Sequence, residues 1–106
     1  MKYVVLVQPP AEDDIAAIWE WIAERAPTSA DRWLAGLIEA MGSLQQHPRR
    51  CSLAPESRFF KRRIRQLLYG KGRRKSRILF AIRPGRVHVL HVRHWSQNIL
   101  APGDGD

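Results

Sequence analysis

The 106-residue chain contains a single cysteine, Cys51. That excludes an internal disulfide framework and a zinc site built from cysteines. No apolar run approaches the roughly 20 residues that a membrane helix needs. The opening apolar run, residues 3–7, is too short for a secretion signal, and Pro9-Pro10 follows it where a small-residue cleavage site would stand. The cytoplasm is therefore the expected compartment, with no membrane partner. Carboxylates are scarce in one region. Between residues 49 and 100 the only acidic side chain is Glu56. That half offers no carboxylate cluster for a hard cation, so no metal and no cofactor is implied.

What the chain has is basic charge, unevenly placed. The net charge is +8. Residues 1–48 carry three basic and seven acidic side chains, whereas residues 49–100 carry fifteen basic ones against Glu56 alone. Asp104 and Asp106 close the chain. A cationic second half on a mildly acidic first half suggests a polyanion or an acidic protein as partner. Hydrophobic residues make up 44% and charged residues 26%, an ordinary globular composition. One domain over residues 1–100 is expected, with a disordered tail at 101–106.

The apolar periods give an order of elements. Residues 3–7 are apolar and rich in β-branched valine, and read as a strand. Pro10 suits a first helical turn, and Glu12, Asp13 and Asp14 suit the positive end of a helix dipole. Ile15, Ile18, Trp19 and Ile22 then form one helical face. Ala26-Pro27 breaks the helix, and Thr28 with Asp31 resembles a capping box that starts a second. Trp33, Leu34, Leu37, Ile38, Met41 and Leu44 line its apolar side, and Pro48 ends it near His47. Residues 49–60 read as a loop. Strands follow at 64–69, 77–83 and 86–93, the last two joined at Pro84-Gly85. The order β-α-α-β-β-β gives an α+β fold, a helical hairpin on one face of a small, mainly antiparallel sheet.

A two-residue turn at Pro84-Gly85 predicts a register in which Phe80 faces Val89, Arg77 faces Val92 and His94 faces Lys75. Ile78, Phe80, Ile82, Val87 and Val89 then lie under the helices. The opposite face carries Arg77, Leu79, Ala81, Arg83, Arg86, His88, Leu90, Val92 and His94, and meets a partner there. His91 and Arg93 fall on the helix side by parity, which a bulge near the strand end would change. Arginine forks match phosphate oxygens and histidine moves protons near neutral pH. Together they suit metal-independent cleavage of RNA. His88 and His91 read as strand residues with hydrogen-bond partners.

The ordered runs Ile64-Arg65-Gln66-Leu67-Leu68-Tyr69-Gly70-Lys71, Ser76-Arg77-Ile78-Leu79-Phe80-Ala81-Ile82 and Val87-His88-Val89-Leu90-His91-Val92-Arg93-His94 resemble the RelE/ParE superfamily of toxins from bacterial type II toxin–antitoxin modules. Residues 10–22 are similar to the first helix of ParE-like members. The resemblance spans about residues 3–95 and implies the same β-α-α-β-β-β fold. RelE-like members cleave mRNA on the ribosome without a metal; ParE-like members inhibit DNA gyrase. For a nuclease, the resemblance implies Arg77 on the scissile phosphate, Arg65 (alternatively Arg63) on the RNA backbone, and Arg93 or His94 in proton transfer. Lys61, Arg62, Arg63, Lys71, Arg73, Arg74 and Lys75 would bind nucleic acid. RelE-like tails often carry a catalytic tyrosine; here Trp95 is the sole aromatic after His94. The long helical hairpin points to the ParE side, and His94 to the nuclease side. The implied partners are an acidic cognate antitoxin and either the ribosome with mRNA or gyrase, in a homodimer or a toxin–antitoxin hetero-oligomer. A third expectation is a nucleic-acid-binding or regulatory module that kept the fold without toxicity.

Overall fold

The structure, a computed structural model, describes residues 2–70 and 75–94. Strand β1 (Val4–Val7) leads into helix α1 (Pro9–Arg25) and helix α2 (Pro27–Gly42). Strands β2 (Arg65–Tyr69), β3 (Ser76–Arg83) and β4 (Arg86–His94) complete a four-stranded sheet in the order β1-β4-β3-β2. The β1–β4 pair is parallel and the other two are antiparallel. Two helices on a mixed sheet make the α+β fold that the periodicity implies. The expected tail at 101–106 lies outside the described residues.

Each helix opens with proline in its first turn, where the missing N–H has no helical partner to lose. The expected capping box does not form. Thr28 lies inside α2, whose N-cap is Ala26, and Asp31 instead accepts a hydrogen bond from Trp19 Nε1 at 3.2 Å. Helix α2 also stops earlier than the proline rule implies. It passes into a 3₁₀ turn at Ser43–Gln45, and His47 is left-handed, with φ 50°.

The main core lies between the helices and the sheet. Phe80, Ile78, Val87, Val89, Leu37 and Leu44 are fully buried there. Ile18, Trp33 and Met41 are also buried, while Ile15, Trp19 and Ile22 pack half-buried against the cluster. Ile38, expected in the core, is 57% exposed. It borders a groove between the two helices, with Ile15, Trp19 and Met41. Tyr69 ties β2 to α2. Its hydroxyl donates to the Trp33 carbonyl at 3.0 Å, and the ring lies so close over Gly36 that a Cβ there would strike the Tyr69 hydroxyl.

Segment 49–60 is more than a loop. It forms 3₁₀ turns at Pro48–Arg50 and Pro55–Phe59 and lies over the second face of the sheet. Ala54, Ile64 and Phe60 pack there against Leu79, Ala81 and Leu90. Those three sheet residues, expected to await a partner, are buried. The apolar faces of β3 and β4 are thus covered from both sides within one chain.

Two substitutions test this packing. Phe80→Ala is expected to lower stability by about 3–5 kcal/mol, as for a well-packed core aromatic. Gly36→Ala is expected to cost about 1–3 kcal/mol through overpacking against Tyr69. Its cost in a Tyr69→Ala background should be much smaller, because the struck atoms are gone. Urea denaturation of wild type, Phe80→Ala, Gly36→Ala, Tyr69→Ala and the Gly36→Ala/Tyr69→Ala double variant checks both; an equal cost of Gly36→Ala in the two backgrounds contradicts the contact.

Candidate functional site

The Pro84-Gly85 turn holds as expected, with Gly85 at φ 70°, in the left-handed region that glycine tolerates. Arg83 pairs with Arg86, Ile82 with Val87 and Phe80 with Val89. The register then shifts. Leu79 pairs with His91, so Leu90 is an extra residue in β4. Beyond it, Ile78 faces Val92, Arg77 faces Arg93 and Ser76 faces His94.

This shift corrects the expected faces. Val92 joins the helix-side core, 1% exposed. Arg93 comes to the side of Arg77, and His94 leaves it for the side of buried Ser76. Arg77 and His94 therefore do not share a face. Arg65 pairs with Phe80 and takes the helix-side parity. It lies four residues along β3 from Ser76, roughly 13 Å at the rise of a strand. Of the four residues proposed for cleavage, the fold brings together Arg77 and Arg93 and places Arg65 and His94 elsewhere.

Arg77 is held by its own chain. Its guanidinium donates to Glu56 Oε1 at 2.9 Å and Oε2 at 2.5 Å, and to Gln66 Oε1 at 2.9 Å. Glu56 is fully buried and the Arg77 side chain is 19% exposed. A carboxylate out of water needs this fork of donors, because an uncompensated buried charge is costly. The one carboxylate of residues 49–100 thus serves as the counter-ion of a strand arginine.

Arg65 is also engaged, donating to the carbonyls of Cys51 at 2.6 Å and Arg49 at 3.4 Å. It fastens segment 49–60 to β2. Burial pushes the neighbouring Cys51 thiol up, against the opposing pull of Arg50 and Arg65. Lys61, Arg62 and Arg63 are exposed, and Lys75 is half-buried. Lys71, Arg73 and Arg74 lie outside the described residues. Among the described residues no three His, Cys, Asp or Glu side chains group into a metal-sized site.

At the other end of the sheet His94 lines a cavity of about 550 Å³ with Trp21, Arg25, Arg32, Trp33 and Tyr69. The His94 and Trp21 ring centroids are 5.3 Å apart, tilted by 48°. Arg25 stacks on the Trp21 ring, 4.0 Å from its centroid. Burial holds the His94 pKa below the usual histidine value, because desolvation disfavours the charged imidazolium. Trp21 lies off the apolar stripe of α1 and stands 47% exposed at this cavity. His91 has the partner expected of it: its Nδ1 lies 3.0 Å from Asp14 Oδ2, which also accepts the Val92 N–H at 3.0 Å.

The family model for the ParE toxin of the type II toxin–antitoxin system, parDE, matches residues 5–99. The chain belongs to the ParE toxin family. No curated protein matches it. A solved chain described as the chromosomal ParDE TA system from P. aeruginosa is similar in fold, with a TM-score of 0.71 at 16% identity. The match covers 88% of this chain and 96% of that one. This narrows the broader RelE/ParE resemblance to its ParE side. No helix among the described residues is long and apolar enough to cross a membrane.

The Arg77–Glu56 pair makes a double-mutant prediction. Glu56→Ala is expected to destabilise by about 3–5 kcal/mol, because it strands the arginine. The double change Glu56→Leu/Arg77→Met should recover most of that loss, since apolar packing replaces a buried pair well. Thermal or urea unfolding checks the cycle; additive losses would contradict the pairing.

Proposed function

We propose that this ParE-family chain stops growth by binding a protein target, with DNA gyrase as the target that its ParE character implies, and that an acidic cognate antitoxin neutralises it. The observation that carries this reading is the commitment of Arg77 to Glu56 and Gln66. Cleavage of RNA without a metal needs a cation free to meet a phosphorane and a proton carrier on the same side of it. Here the arginine is occupied and His94 takes the opposite face parity. Binding asks for neither. It asks for a surface, and the exposed Lys61, Arg62 and Arg63 supply a cationic one that steers an acidic partner.

The test runs two assays side by side on purified protein: DNA supercoiling by gyrase, and cleavage of mRNA on programmed ribosomes. Inhibition of supercoiling is expected, with mRNA intact from about pH 6 to pH 8, the range in which histidine changes charge. A folded His94→Ala variant should keep its inhibition. Cleavage of mRNA that disappears in His94→Ala would replace binding with nuclease chemistry.

A further inference from the structure

The first 48 residues contain two arginines, Arg25 and Arg32, in an otherwise acidic stretch. They stand on different helices, one at the end of α1 and the other in the first turns of α2. The corner between the helices brings both to the cavity that His94 closes from the sheet side.

The walls of this cavity have already used their polar tips. Trp33 Nε1 donates to Ser76 Oγ at 3.3 Å, and the Tyr69 hydroxyl donates to the Trp33 carbonyl. What these rings offer inward is carbon. The rim differs. Arg25 spends one N–H on the Trp21 carbonyl, at 2.8 Å, and stacks on the Trp21 ring. Its ion pair with Glu24 is long, 3.7 Å, and exposed, so solvent weakens it. Arg32 has no hydrogen-bond or ion-pair partner among the described residues. An apolar floor under two guanidiniums selects a ligand that is apolar at one end and anionic beside it. Aromatic side chains and arginines at a pocket are also the residue types that dominate protein interfaces energetically.

We propose that this cavity is the anchor pocket for the cognate antitoxin: it takes one large apolar side chain from an acidic antitoxin segment, whose carboxylates pair with Arg25 and Arg32. This rests on the reading of the chain as a toxin held by an acidic antitoxin. Charge favours that occupant. The two rim guanidiniums call for carboxylates, and the second half of the chain carries fifteen basic side chains against one acidic.

The probe is the product of the gene adjacent to this chain's own, provided that gene encodes a small acidic protein, titrated against full-length toxin by calorimetry. Three variants are compared with wild type after circular dichroism and melting confirm folding. Arg25→Gln/Arg32→Gln removes the rim charge, Ser29→Phe fills the cavity, which Ser29 also lines, and Arg49→Gln/Arg58→Gln removes equal charge from exposed positions to which no binding role is given. The first two should each weaken Kd by about 30-fold, the scale of an interface hot spot. The third should change it by less than about threefold, as for charges at an interface rim. If Ser29→Phe fails to fold, the rim double variant decides, because both arginines are exposed. Unchanged affinity in the folded rim variant overturns the proposal. So does unchanged antitoxin affinity with lost gyrase inhibition, which would give the cavity to the target. Failure of the neighbouring protein to bind wild type at all would instead overturn the antitoxin reading beneath it.

Discussion

One additional residue in β4 decides which side chains can act together. Between Val89 and His91, Leu90 has no partner of its own on β3. With a period of two, that single insertion exchanges the faces of everything beyond it. Val92 enters the core, Arg93 comes beside Arg77, and His94 moves to the helix side. The same stretch of β4 runs past the end of β1, which pairs only as far as Val89. The Val92 N–H beyond that point finds its acceptor in Asp14 of α1. The helix thus continues, with a carboxylate, the edge that the strand leaves open.

The second constraint is the cover on the back of the sheet. A four-stranded sheet with apolar residues on both faces needs two layers over it, and one helical hairpin supplies only one. Segment 49–60 supplies the other through Ala54 and Phe60, and Arg65 fastens it by donating to the Cys51 and Arg49 carbonyls. Glu56 arrives with that segment and neutralises Arg77 from above. The arginine that the family resemblance marks for phosphate chemistry therefore serves here as an internal counter-ion. Among the described residues, openings remain at the helix corner, where Trp21, Arg25 and Arg32 stand, and in the groove between the helices beside Ile38.

Much of the fold was legible because it rests on local signals. The two helices followed from apolar spacing and proline breaks, and the β3–β4 hairpin from Pro84-Gly85. The helix-side set Ile78, Phe80, Ile82, Val87 and Val89 follows from alternation close to that turn, before any irregularity can accumulate. What was not legible depends on tertiary contact. No sequence pattern marks Leu90 as the inserted residue. The capping box at Thr28 was overridden because Pro27 already opens the helix and Trp19 takes Asp31. Glu56 was visible as the lone carboxylate of its half, and that isolation was the available clue to a buried partner. The pairing of Arg25 with Arg32 at one cavity could have been sought from the helix break between them.

The faces of β4, the side shared by Arg77 and Arg93 and the place of His94 at its cavity all depend on the shifted register. Cross-strand nuclear Overhauser effects in isotope-labelled protein measure it directly. Contacts are expected to join Arg77 to Arg93 and Ser76 to His94, together with Phe80 to Val89 nearer the turn. Contacts joining Arg77 to Val92 and Lys75 to His94, with no shift along β4, would contradict it.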